Sequence, residues 1–299
     1  VLTGVVSVQI GAGLAARLFT QIPPAAVTGL RLWTAAVLMA VAGARGLRGA
    51  WSGPVRRRGW RDLSVVIGFG LTLAIMNYSI YQAFARIPLG IAVTVEFLGP
   101  LGVAVATSRR LVDLLWVALA GTGVALLTRT GTAGAAVHTG LAPAHQAGHG
   151  QALLGLAFAM LAGLAWAAYI IFSRATGRRF AGSSGLTIAM VVAAVVITPV
   201  GVAAGRGALL HPAVLAVGLA IGLLSSIIPY TLELEALRRV PARVFGIWMS
   251  LEPAVAALVG LVMLGQALAL REWAAVVCVM IACAGAALAS GVTNQAPQA

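Results

Sequence analysis

The 299-residue chain is 61% hydrophobic and only 9% charged, with a mean hydropathy of +1.00; soluble domains carry about a quarter charged residues, so an ordinary water-soluble fold is excluded. Its net charge of +13 rests entirely on arginine, placed mainly between apolar runs, so lipid headgroups rather than nucleic acid are the expected partner. With no lysine the chain lacks the residue needed for a Walker A site or a Schiff base, which sets aside a nucleotide-driven pump within this chain and leaves a gradient or a partner as the energy source.

In chain order, apolar stretches near the ~20 residues that cross a bilayer predict ten spans, at 2–19, 25–44, 63–84, 88–107, 111–128, 151–172, 183–204, 213–237, 242–265 and 271–290. Val1 to Phe19 contains Gln9 and Arg17 and is followed by no small-residue cleavage pattern, so it reads as a first span rather than a signal peptide. The start at Val1 rather than Met suggests that a few residues precede it. The fold class is therefore an all-α polytopic membrane protein. Fourteen arginines (45, 48, 56, 57, 58, 61, 109, 110, 174, 178, 179, 238, 239 and 243) fall on one side of this topology. Only Arg86, Arg129, Arg206 and Arg271 fall on the other, and the positive-inside rule then places both termini in the cytoplasm.

A Gly-, Ala-, Thr- and His-rich linker divides the chain into residues 1–130, linker 131–150, residues 151–290 and a cytoplasmic tail 291–299. Five spans in each half force opposite orientations. A weak internal repeat at an offset of 153 supports the division: Ala83, Arg86, Pro88 and Pro100 meet Ala236, Arg239, Pro241 and Pro253. Two inverted five-helix repeats with a substrate site where they meet is a recurring transporter architecture. Small residues at four-residue spacing, as in Gly155, Ala159 and Gly163, Gly218 and Gly222, Ala256 and Gly260, and Ala282, Ala286 and Ser290, read as close helix packing in lipid. Cys278 and Cys283 lack redox or zinc spacing and read as small core residues. His138, His145 and His149 have no Cys, Asp or Glu beside them in the linker, so no metal site and no cofactor is expected.

An ionisable group near the bilayer centre costs roughly 3 kcal/mol or more and needs a reason to be there. Glu96 and Glu252 lie near mid-depth of the fourth and ninth spans, each close to a proline, Pro100 or Pro253, that removes a helical hydrogen bond and can turn carbonyls toward a cavity. Either could bind an ammonium group or a proton, or else simply bond a neighbouring helix. Glu235 stands four residues before Arg239 and reads as a helical ion pair, leaving Glu233 the better site candidate. Arg31, six residues into the second span, can snorkel outward or clamp a carboxylate. Gln9, Asn77, Tyr78 and Tyr230 add uncharged hydrogen-bonding groups, whereas Tyr81 reads as interfacial.

Longer strings carry a resemblance. Met76-Asn77-Tyr78, Pro88 through Val93, Glu96 through Leu101, Pro229 through Glu233, Pro241-Ala242-Arg243 and Ser250 through Ala254 together resemble the RhtA-type threonine and homoserine exporters of the EamA branch of the drug/metabolite transporter superfamily. Ser7-Val8-Gln9, Leu30-Arg31-Leu32 and Ser108-Arg109-Arg110 agree. The resemblance implies ten helices in two inverted five-helix repeats and efflux of small amino acids across a bacterial inner membrane, without enzymatic activity. The reading is then of a secondary transporter, a monomer or homodimer, working by alternating access with a proton as coupling ion. In it Glu96, Glu252 and Glu233 bind cation or proton while Arg31, Asn77, Tyr78, Gln9 and Tyr230 orient the substrate. An exporter of other metabolites or drugs, and more distantly an intramembrane enzyme, stay open as alternatives.

Overall fold

A computed structural model describes residues 1–42, 60–107, 112–129, 149–180 and 184–290, with the side chain of Tyr230 outside that description. The linker up to residue 148, the 291–299 tail and seven of the fourteen arginines also lie outside it. Within it the chain is all helix: α1 (Leu2–Leu18), α2 (Pro24–Ala42), α3 (Trp60–Phe84), α4 (Leu89–Glu96), α5 (Leu98–Ala106), α6 (Val112–Arg129), α7 (His149–Gly177), α8 (Ser184–Gly205), α9 (Pro212–Gly222), α10 (Ile228–Arg239), α11 (Ala242–Met249), α12 (Glu252–Leu264) and α13 (Leu270–Ser290). Three pairs, α4 with α5, α9 with α10 and α11 with α12, are single spans interrupted midway, which returns the ten expected spans. Eight are long and apolar enough to cross a bilayer, and Leu2–Leu18 and Val112–Leu127 are shorter apolar helices. Apolar segments become helices here because lipid offers no partner to a backbone amide.

The interruptions follow from sequence. Pro88 and Pro241 precede α4 and α11 with nearly the same backbone, φ −53°, ψ 141° and φ −54°, ψ 139°. The offset of 153 thus recurs as geometry. Pro100 and Pro253 carry no amide hydrogen for the Glu96 and Met249 carbonyls one turn back, and the helices break at Phe97 and at Ser250–Leu251. In the eighth span Pro229 does the same to Ser225, and a π turn, Leu223–Ile227, separates α9 from α10.

Packing interleaves the two halves. The most extensive interfaces are α3 with α7, α2 with α8 and α13 with α6, and α1 lies against α9, α10 and α12. Small residues permit the approach: a Cβ at Gly163 would stand 2.7 Å from the Glu96 carbonyl, and one at Gly90 would stand 2.7 Å from the Ala257 Cα. Gly218 meets Leu30 and Gly222 meets Thr34 in the same way. Helix ends are tied at the face carrying the 85–88 and 265–269 connections. Gly265, left-handed at φ +67°, closes α12; Arg17 Nε and Nη2 donate to the Met263 carbonyl there at 3.0 and 2.6 Å, and Gln266 Oε1 accepts from Leu89 N, the first amide of α4, at 2.9 Å. Cys278 and Cys283 are free thiols, partly buried among helices.

Candidate functional site

Where the halves meet, the interrupted spans enclose a cavity of about 170 Å³ lined by α1, α2, α3 and α4 from one side and α7, the π turn, α10, α11 and α12 from the other. Glu96, Glu233, Glu252 and Arg31 all line it, with Gln9, Asn77 and Ser225. Three carboxyl groups against one guanidinium leave a place for a cation, whether an ammonium or protons.

Glu96 is the last residue of α4, fixed by the break behind it: Phe97 sets its ring edge-on to Trp166 with centroids 4.9 Å apart, and Gly163 presses against the Glu96 backbone. Glu252 opens α12 and is 8% exposed, accepting from Gln9 Nε2 at 2.8 Å. Arg31 does not reach for the membrane surface. Its Nη2 donates at 3.0 Å to the Ser225 carbonyl, the acceptor that Pro229 cannot serve, and its guanidinium sits over the Tyr81 ring, 5.5 Å from the centroid. Ser7 Oγ takes the neighbouring Leu224 carbonyl at 2.8 Å, so α1 and α2 together hold the π turn against the cavity. Asn77 spends Nδ2 on the Leu73 carbonyl, at 2.8 Å, and brings the rest of its amide to the wall. Glu233 lies beside Gly4 of α1. Its neighbour Glu235 turns away to accept from Arg239 Nε at 2.6 Å, the expected ion pair.

Residues 153–288 match the EamA-like transporter family. The chain is 37% identical over 263 residues to the threonine/homoserine exporter RhtA of Salmonella typhimurium strain SL1344, covering 88% of this chain and 81% of that protein. The same exporter from Escherichia coli K12 is 37% identical over 268 residues, covering 89% and 83%. The chain belongs to the EamA-like transporter family. A crystal structure of 21% identity superimposes on this EamA-like transporter with a TM-score of 0.60 over 97% of the chain and 96% of that one, the same fold. Membership in this family, within the drug/metabolite transporter superfamily, makes the protein a multi-pass membrane transporter and not an enzyme.

In this transporter two tyrosines are not where the sequence put them. Tyr78 follows Asn77 by one residue, about 100° around the helix, and so turns from the cavity to pack edge-on against Phe158 of α7, with centroids 6.3 Å apart. Tyr81, expected at the interface, is 0% exposed and carries Arg31. Tyr230 belongs to α10, but its side chain lies outside the described residues. Trp166 and Tyr169 of α7 line the cavity without having been singled out; an aromatic residue inside an apolar span carries no mark that separates a wall from lipid contact. Among the described residues no His, Cys, Asp and Glu cluster could hold a metal ion.

Proposed function

We propose that this transporter exports small amino acids such as threonine and homoserine from the cytoplasm by proton-coupled alternating access. The single observation that carries the reading is the pairing, in one small cavity, of a guanidinium held by backbone and ring with three carboxyl groups. An α-amino acid offers the complementary pair, its carboxylate to Arg31 and its ammonium to the acidic wall. About 170 Å³ is below the ~300–1,000 Å³ of sites for drug-sized ligands, which favours small solutes over drugs. The activity of the relatives, threonine/homoserine export, agrees. In this reading the two sets of five spans are inverted repeats that rock about the cavity, and both termini face the bacterial cytoplasm.

Proteoliposomes preloaded with radiolabelled threonine or homoserine test it. Efflux that rises under an imposed pH gradient, and that excess unlabelled small amino acids compete away, is the expected result. Folded, inserted protein that passes neither compound, but does pass an unrelated metabolite, would overturn the substrate assignment.

A further inference from the structure

Three buried polar atoms without a hydrogen-bond partner among the described residues belong to residues that line the cavity: Gln9 Oε1, Arg31 Nε and Ser225 Oγ. Unpaired buried polar atoms are costly; Ser225 Oγ is packed against Gly11 of α1, and the other two point to a ligand that supplies their partners. Arg31 Nε wants an acceptor, and Gln9 Oε1 wants a donor.

Gln9 is 1% exposed and reports on its neighbour. An amide has a donor end and an acceptor end, and here the donor end is given to Glu252 Oε1 at 2.8 Å. An ionised carboxylate only accepts, so it draws Nε2 and leaves Oε1 for a ligand donor. A protonated Glu252 carries an O–H that needs an acceptor, and Gln9 Oε1 is the adjacent one without a donor. The amide then turns over about its last side-chain bond and offers Nε2 instead.

We propose that Gln9 is a polarity switch in the site, an acceptor for the substrate ammonium while Glu252 is ionised and a donor that repels it once Glu252 holds a proton. This deepens the exporter reading above and rests on it. Loading occurs with Glu252 ionised. On the far side of the membrane a proton from the water there adds to the Glu252 carboxylate, the amide turns, and the ammonium leaves; the protonated carrier returns and gives the proton up to the cytoplasmic water. One proton enters for each amino acid that leaves. The charged and titratable groups facing Glu252 are Glu96 from α4, Glu233 from α10 and Arg31 from α2. On α1, the helix of Gln9, Arg17 is engaged with the Met263 carbonyl at the far end of α12. From α13, Glu272 accepts from Ala269 N, also at that far end.

The test is infrared spectroscopy of the purified full chain together with threonine binding across acid to neutral pH. The Glu252 carboxylic-acid band, assigned by its loss in Glu252→Gln, should grow on acidification in step with a shift in the glutamine amide band that Gln9→Met removes. Gln9→Met, which keeps the bulk and discards the amide, should weaken threonine binding about tenfold at neutral pH and flatten its pH dependence. Amide and acid bands that titrate independently would overturn the switch, even in a protein that exports threonine, with Gln9→Leu assigning the amide band should Gln9→Met fail to fold. Wild-type affinity and pH slope in a folded Gln9→Met protein would overturn it equally. If the wild type bound no small amino acid while the two bands moved together, the exporter reading would fall and the switch would lose its ligand but keep its proton response.

Discussion

Arg31 is held from two directions, by the Ser225 carbonyl and by the Tyr81 ring, so its fork is presented to the cavity with little freedom left to lose on binding. Lysine keeps the charge but not the planar fork. Arg31→Lys should therefore raise the threonine KM for efflux about tenfold or more, the loss of one charge-assisted hydrogen bond, with a smaller change in kcat. Glu96→Gln keeps shape and removes the charge. It should raise the threonine KM for efflux about tenfold while leaving stimulation by a pH gradient, carried by Glu252, in place; an unchanged KM would remove Glu96 from the wall that takes the ammonium. These residues were legible in the sequence because a charge within an apolar run is expensive and so conspicuous. Tyr78 and Tyr81 were not, since a hydropathy pattern fixes the depth of a residue but not its bearing around the helix, and one position of bearing separates Asn77 from Tyr78.

At the scale of helices, the π turn and the proline behind it are what expose the Ser225 carbonyl. Pro229→Ala would restore an amide one turn on, give that carbonyl a helical partner and set it in competition with Arg31. The expected outcome is a straighter eighth span, unchanged or higher thermal stability, and lower transport, read as Tm and initial efflux rate on the same preparation. Gly163→Val tests the opposite kind of contact. Because a Cβ there would stand 2.7 Å from the Glu96 carbonyl, overpacking should cost about 1–3 kcal/mol and lower Tm. By contrast the half-exposed ion pair between Arg179 Nε and Asp62, at 3.0 Å, should contribute little. The breaks at Phe97 and Ser250–Leu251 could be read from Pro100 and Pro253. The π turn could not, as Ser225 and Ser226 are equally at home in an ordinary helix.

For the molecule as a whole, the span count was accessible because ten apolar runs leave little room for another partition, and because arginine marks the intervals. How the halves interleave was not: contact between α3 and α7, or α2 and α8, depends on small-residue faces whose partners lie far along the chain. The proposed orientation has a direct check. In a Cys278→Ala, Cys283→Ala background, Thr293→Cys in the tail should resist a membrane-impermeant maleimide until cells are permeabilised. Ala208→Cys, exposed at the 206–210 turn, should label at once. The reverse pattern would invert the topology.

The contact of Gly90 with Ala257 joins the two interrupted spans at close range, with nothing larger than the Ala257 methyl group to act as a cushion. Two rods touching so closely behave as meshed gears: neither can slide or tilt at that point unless the other follows. In the alternating-access cycle proposed above, motion begun at Glu96 would thereby be handed to Glu252 across the midline, keeping the two faces of the membrane from opening together.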